Sequence, residues 1–276
     1  MPELPEVQTV INGIKPKIIG KKIISFSSYI EKLRYPISKF ISKRIIQSKV
    51  CEIQRRAKYI IMHLSNGESV IIHLGMSGRI VISESSKNYL FKHTHFVIRF
   101  SENIELQYID PRRFGLIVVE RSDILLQSRF FNQLGVEPLT KKFNKKYLQT
   151  ICESKYTSIK STIMDQKYVV GIGNIYASES LFLSKINPNR ACITLSEKEC
   201  SLLVLSIKKI LRKSIKSGGS SINDYVMATG KLGNYQNKLK VYRREGLICR
   251  KRSCQSKILR IVIAQRSTFY CPICQV

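Results

Sequence analysis

Apolar positions recur with two different periods along this chain. Over residues 6–15, Val7, Val10, Ile11 and Ile14 fall on one face of a helix, and Gly13 and Pro16 read as its close. Short runs rich in β-branched and aromatic residues follow. They predict strands over 22–27, 50–53, 59–64, 69–74, 96–100, 104–109 and 116–120. Asn66-Gly67 between two of these runs is a hairpin signal. This spacing suggests an antiparallel sandwich or barrel. After about residue 121 the period becomes helical, and the stretch 135–139 reads as a boundary. The segment 196–216 opens with Ser196 and Glu199 as a capping box. It continues through Leu203, Ile207, Ile210 and Leu211, and stops at Gly218-Gly219.

Composition narrows the partner. A chain of 276 residues has room for two domains, each with its own core. Lys and Arg number 47 against 19 Asp and Glu, a formal charge of +28. That surplus points to a polyanion. It is spread along the chain, as a surface that follows a nucleic-acid backbone requires. An apolar share of 43% excludes a disordered basic tail. The sequence shows no secretory leader and no run of about eighteen apolar residues, so neither export nor a membrane span is expected. The eight cysteines then suggest a reducing compartment and metal ligation in place of disulfides.

Candidate chemistry lies in a few short stretches. If the initiator methionine is trimmed, Pro2 becomes a secondary amine whose pKa is that of an α-amino group, about 8. Such an amine can attack a sugar aldehyde carbon, Glu3 can move protons, and Glu6 sits one helical turn on to orient the site. Pro2, Pro5, Glu3 and Glu6 equally suit an ordinary helix start, and residues 1–7 alone leave both readings open. Residues 55–59 interleave Arg55, Arg56 and Lys58 with a strand start. Residues 73–78 put Met76 on a glycine-flanked tip. Residues 110–115 put Arg112, Arg113 and Phe114 on a turn, a combination suited to phosphate contact and to wedging between bases. The glycine-rich stretch 171–176 feeds a helix, where backbone N–H groups can meet an anion. Cys249 and Cys254, then Cys271 and Cys274, form two knuckles with sixteen residues between them, a spacing that fits a tetrahedral Cys₄ zinc site. The insert between them places Arg266 on a hairpin. Cys51, Cys152, Cys192 and Cys200 show no such spacing and read as ordinary buried thiols.

Taken together and in order, the stretches 1–7, 55–59, 73–78, 93–95, 110–115, 171–180, 218–230 and 265–274 resemble bacterial formamidopyrimidine-DNA glycosylases over nearly the whole chain. Leu4 favours that family over its sister, endonuclease VIII, and that sister's specificity for oxidised pyrimidines is the alternative. The resemblance implies an α+β multidomain protein: an N-terminal antiparallel β-sandwich with flanking helices (residues 1–134), a helix–two-turn–helix module (135–240) and a zinc-finger β-hairpin (241–276). It implies a monomeric base-excision repair enzyme of the bacterial cytoplasm and nucleoid. Such an enzyme removes oxidised purines from double-stranded DNA and then nicks the strand. By the same resemblance Pro2 is the nucleophile, Glu3 the proton donor, and Glu6 shapes the site. Lys58 serves β-elimination and Arg266 δ-elimination. His93, Arg112, Arg113, Lys155, Asn174 and Tyr242 are DNA contacts, and Met76, Arg112 and Phe114 fill the gap left by the flipped base. Lys160, Ser220 and the rest of 218–231 read the lesion, and Cys249, Cys254, Cys271 and Cys274 hold one structural zinc. The chain departs from the family in its long first zinc knuckle, in Leu232 and in Arg243, which stands where glycine commonly follows the tyrosine. A scaffold that holds damaged DNA without cutting it is the competing reading, and the joint presence of Pro2, Glu3, Lys58 and Arg266 speaks against it.

Overall fold

The computed structural model describes residues 2–84, 89–220 and 233–276. The chain divides into two compact units: residues 1–132 with 217–236, and residues 133–216 with 237–276.

The first unit is a β-sandwich. One sheet has the order β2 (Val50–Arg56), β3 (Tyr59–Leu64), β4 (Glu68–His73), β8 (Leu116–Arg121). The other has the order β1 (Ile23–Ser28), β6 (Thr94–Phe100), β7 (Ile104–Ile109), β5 (Arg79–Glu84). Every pairing is antiparallel. The predicted hairpin is present: β3 pairs with β4, and Gly67 supplies a φ of +81° in the turn between them. Inward-facing Ile, Val and Phe side chains of both sheets share one core with Val10, Ile14 and Ile18 of α1 (Leu4–Ile18) and Ile41 and Ile45 of α2 (Ile41–Ile45).

Helix α1 differs from its expected bounds. It starts at Leu4, passes through Gly13 and Pro16, and ends at Ile18. Proline inside a helix removes one backbone bond and normally stops it. Here Ile14 and Ile18, on either side of Pro16, are fully buried, and the packing they gain carries the helix past the break. Strand β5 was not expected at all. It follows directly on the tight glycine turn at residues 75–78.

The second unit is mainly helical, with α3 (Lys145–Cys152), α4 (Ile159–Met164), α5 (Asn174–Ser184) and α6 (Glu197–Lys216), followed by a hairpin of β9 (Leu259–Ile263) and β10 (Arg266–Tyr270). Side chains cap the starts of α3, α4 and α6. Asn144 accepts from the N–H of Tyr147 and Ser158 from that of Ser161. The expected capping box of α6 is present: Glu199 accepts the Ser196 N–H at 2.8 Å, and Ser196 Oγ accepts the Glu199 N–H at 3.3 Å. Within this unit α5 packs against α6, α4 and β10.

Candidate functional site

In the first unit Pro2 and Glu3 lead into α1 and both are buried, Glu3 at 3% exposure. The Glu6 carboxylate, also buried, joins two backbone segments. One oxygen accepts the Glu3 N–H at 2.9 Å, and the other accepts the Ser220 N–H at 2.8 Å. Gly219 makes the second contact possible. Its φ is +76°, and a Cβ there would lie 3.0 Å from Glu6 Oε1. Glu6 therefore fixes the start of α1 against the 218–220 turn. The Ser220 hydroxyl is buried and has no hydrogen-bond partner among the described residues. Residues 221–232 of the expected lesion-reading segment, Leu232 included, lie outside the described residues.

Lys58 sits in the two-residue turn between β2 and β3, next to Ala57, whose φ is +53°. Arg55 ties this turn to α1. Its Nε donates to Gln8 Oε1 at 3.2 Å and its Nη1 to the Ala57 carbonyl at 2.9 Å. Lys58 is 93% buried, and its charge acts on His73 at the end of β4. Burial, then Lys58, then Arg34 push the His73 pKa down to about 3. A neutral ring is also what its hydrogen bonding requires, because Nδ1 accepts the Gly75 N–H at 2.9 Å. His73 had no assigned role in the sequence, since nothing in the string places a cation beside it.

Two turns meet just beyond His73. A Cβ on Gly75, whose φ is +60°, would stand 2.5 Å from the carbonyl carbon of Phe114, so these backbones touch. Asp110, fully buried, anchors the second turn. Its Oδ1 accepts from Ser77 Oγ at 2.5 Å and its Oδ2 from the Gly115 N–H at 2.8 Å. The Tyr108 hydroxyl donates to Oδ2 at 3.3 Å, and burial together with Asp110 raises its pKa well above the ordinary value. On this base the side chains expected to act as a wedge are exposed: Met76 at 42%, Phe114 at 47%, and Arg112, with Arg113 beside them. The Arg112 guanidinium lies 4.9 Å from the Phe114 ring centroid. The carbonyl of exposed His93, whose φ is +67°, accepts the Asp110 N–H at 3.1 Å, so His93 belongs to the same corner.

In the second unit, Asn174 is the first residue of α5. Its Nδ2 donates to the Ser267 carbonyl at 2.9 Å and its Oδ1 accepts Lys160 Nζ at 2.5 Å. Lys160 Nζ also donates to Thr268 Oγ1 at 2.6 Å. Lys160, the lysine expected to read the damaged base, is 1% exposed and joins α4, α5 and β10 from inside the unit. A buried ammonium needs such partners. Arg266 stands exposed at the start of β10, at the tip of a hairpin whose two turn residues, Ala264 and Gln265, have φ of +46° and +58°. Lys155 lies on the loop after α3, its ammonium 4.4 Å from the Tyr168 ring centroid.

The segment leading to the finger is held by Glu179 of α5, a carboxylate the sequence reading passed over. It accepts the N–H groups of Lys240, Val241 and Tyr242 at 2.8–3.0 Å. Burial raises its pKa despite those bonds. Tyr242 packs edge-on against Phe269 at 5.3 Å. Arg243 has φ +57°, a left-handed position that explains why glycine suits it better.

The four finger cysteines converge. Their sulfurs all lie within 4.8 Å of one another, with Cys249–Cys274 at 3.9 Å and Cys254–Cys271 at 3.6 Å. A tetrahedral ion with thiolates at ~2.3 Å sets its sulfurs about 3.8 Å apart. The set therefore fits one metal ion, and the four-residue first knuckle does not prevent it.

Residues 1–117 match the formamidopyrimidine-DNA glycosylase N-terminal domain, and residues 134–226 match the formamidopyrimidine-DNA glycosylase H2TH domain. Formamidopyrimidine-DNA glycosylase of Rickettsia africae (strain ESF-5) is 42% identical over 276 residues, covering 100% of this chain and 99% of that protein. The chain belongs to the formamidopyrimidine-DNA glycosylase family. The family member from Zymomonas mobilis is 43% identical over 275 residues, covering 100% of both chains. Among solved structures, a complex of a Lactococcus lactis Fpg mutant with DNA containing Fapy-dG aligns at TM-score 0.91 and 34% identity, over 99% of each chain. A complex of wild-type Lactococcus lactis Fpg with DNA containing an oxidised pyrimidine aligns at TM-score 0.90, again with 34% identity and 99% coverage of each. Among the described residues, no helix is long and apolar enough to cross a membrane.

Proposed function

We propose that the protein is a base-excision repair glycosylase with abasic-site lyase activity. It acts on double-stranded DNA containing oxidised purines and works as a monomer at the bacterial nucleoid. The observation that carries this reading is the buried Pro2-Glu3 pair, bound through the Glu3 N–H by Glu6 at the head of α1.

With Met1 removed, the Pro2 nitrogen attacks C1′ of the damaged nucleotide and the C1′–N bond breaks. The freed base takes a proton, the C1′–O4′ bond of the sugar then opens with a proton passing to O4′, and an iminium joins Pro2 to the opened sugar. Glu3 supplies and receives protons beside that nitrogen, and Glu6 keeps Glu3 in register. Lys58 serves the β-elimination in which the C2′ proton is lost and the 3′ phosphate is expelled. Arg266 assists the second elimination. Reaction at C1′ requires the nucleotide to leave the stack, at a cost of a few kcal/mol. Met76, Arg112 and Phe114 fill the vacated space and offset that cost. His93, Arg113, Lys155 and Tyr242 contact the backbone, and Asn174, oriented by Lys160, meets a phosphate at the start of α5. Zinc on Cys249, Cys254, Cys271 and Cys274 holds the hairpin that carries Arg266. A three-part division at residues 134 and 240 fits these roles.

Borohydride reduces an iminium to a stable amine, so the test is covalent trapping on duplex containing 8-oxoguanine opposite cytosine. Protein lacking Met1 is expected to form the adduct, Pro2→Gly much less, and a form that keeps Met1 almost none, because its Pro2 nitrogen is an amide. Glu3→Gln is expected to bind the lesion without releasing the base. Equal trapping by the form that keeps Met1 would show that Pro2 is not the nucleophile. Release of oxidised pyrimidines in preference to 8-oxoguanine would favour the sister specificity.

A further inference from the structure

Thr268 lies in the middle of β10 and is fully buried. Valine has nearly the same shape without a polar atom, and a buried hydroxyl is costly unless hydrogen bonds satisfy it. Here two bonds do so. Thr268 Oγ1 accepts from Lys160 Nζ at 2.6 Å and donates to the Arg266 carbonyl at 3.1 Å. Their directions are fixed, because an ammonium can only donate and a hydroxyl has a single proton. Lys160 therefore turns the hydroxyl proton toward Arg266.

The same ammonium sets a second carbonyl. It donates to Asn174 Oδ1 at 2.5 Å, and Asn174 Nδ2 donates in turn to the Ser267 carbonyl at 2.9 Å. Two successive carbonyls of β10 are thus held by side chains that one buried charge orients. The direction of a carbonyl reflects the ψ of its own residue, so the bond from Thr268 fixes the backbone at Arg266. That hold matters at this place. Strand β10 pairs with β9 in a two-stranded sheet, and Arg266 follows directly on Ala264 and Gln265, both at positive φ. A ribbon of two strands is marginal by itself in water.

Arg266 keeps its proton throughout, so it can serve an elimination only by where its charge lies. In the second elimination the opened sugar loses its C4′ proton, and that electron pair forms the C4′–C5′ double bond. The C5′–O bond breaks with its pair on the departing phosphate. A guanidinium set against the oxygens of that phosphate stabilises the charge that develops there.

We propose that Thr268 is the positioning residue for Arg266: it carries the orientation of the buried Lys160 ammonium to the Arg266 carbonyl and so aims the guanidinium at the phosphate that leaves in the second elimination. This rests on the proposed role of Arg266. The first elimination, served by Lys58 of the first unit, is the internal reference.

The experiment uses full-length, zinc-loaded protein lacking Met1 on duplex that carries a preformed abasic site. Gel electrophoresis separates the unsaturated aldehyde end left by the first elimination from the 3′ phosphate left by the second, and the ratio of the two rates is the readout. Thr268→Val is expected to lower the second rate relative to the first by about tenfold, the weight of one net hydrogen bond. Thr268→Ser keeps the hydroxyl and should restore the ratio. Lys160→Met leaves that hydroxyl free to turn and should lower the ratio by a smaller factor. Arg266→Ala gives the limit. If Arg266→Ala lowers the ratio and Thr268→Val does not, the proposal is overturned while the role of Arg266 stands. A Thr268→Val protein that holds its zinc yet slows both eliminations equally would show a merely structural hydroxyl and overturn it as well. Should Thr268→Val not fold, Lys160→Met decides, and an unchanged ratio there is the overturning result. If Arg266→Ala itself leaves the ratio unchanged, Arg266 has no part in the second elimination, and the proposal falls with that role.

Discussion

The turn at residues 110–115 and the hairpin tip at residues 263–266 both present arginine at a strand end, yet they are held by opposite means. The first is part of a hydrophobic core. Asp110 is buried beneath it, Gly75 brings a second backbone into contact, and Tyr108 stacks on Phe96 at 4.7 Å below. The second belongs to a short two-stranded ribbon. Such a ribbon is marginal by itself in water. It relies on the Lys160–Asn174–Thr268 network and on four sulfurs poised for one ion. A large sandwich can position an arginine by burial alone, whereas a finger of some thirty residues needs coordination chemistry in its place.

The largest effect should come from metal removal. Chelation is expected to cost the finger several kcal/mol of local stability. Amide exchange should quicken across 259–270 and stay unchanged across 110–115, with DNA affinity falling before the sandwich melts. Loss of protection in both regions together would erase the contrast.

The converse change is Asp110→Ala. It strands buried donors on Ser77 and Gly115 and is expected to destabilise the sandwich by about 3 kcal/mol in denaturant unfolding. Zinc content and exchange in the finger should not change.

A smaller effect is set by pH. His73 has a folded pKa of about 3, below the ordinary unfolded value of 6.5, so the unfolded chain binds more protons. Its stabilising contribution is complete above about pH 6.5 and is lost as pH falls through the window down to about 3. The loss by about pH 5 should be roughly 2 kcal/mol. His73→Asn should flatten that part of the stability–pH curve, and an unchanged curve would show that the ring is not neutral as its bond from Gly75 requires.

The smallest change should be a gain. Arg243→Gly relieves a left-handed φ and is expected to raise stability by about 1 kcal/mol, read as a shift in the thermal midpoint.

The sandwich was legible in the sequence because alternation is local: the seven expected strands are all present, each within a few residues of its expected bounds. Strand β5 was passed over although its Ile80-Val81-Ile82 run follows the glycine turn at 75–78, whereas α3 and α4 are too short to show helical periodicity. The finger could be read because four cysteines at fixed spacing constrain geometry almost alone. The surroundings of Lys160 could not be read, since its partner Thr268 lies 108 residues away and only folding joins them. Glu179 was hidden for a related reason: a carboxylate on a helix face gives no sign that it will gather three backbone N–H groups from residues 240–242. Pro16 shows the limit of local rules, because tertiary burial of Ile14 and Ile18 outweighed the break it should have made.

The Arg112–Phe114 stack exists before any DNA arrives. Immobilising a rotamer-rich side chain on binding costs about 0.5–1.5 kcal/mol. In this protein that entropy is surrendered during folding. On the proposed reading, a wedge already in shape probes each base step as it passes, and its encounter time with an intact pair need be no longer than the pair's own opening.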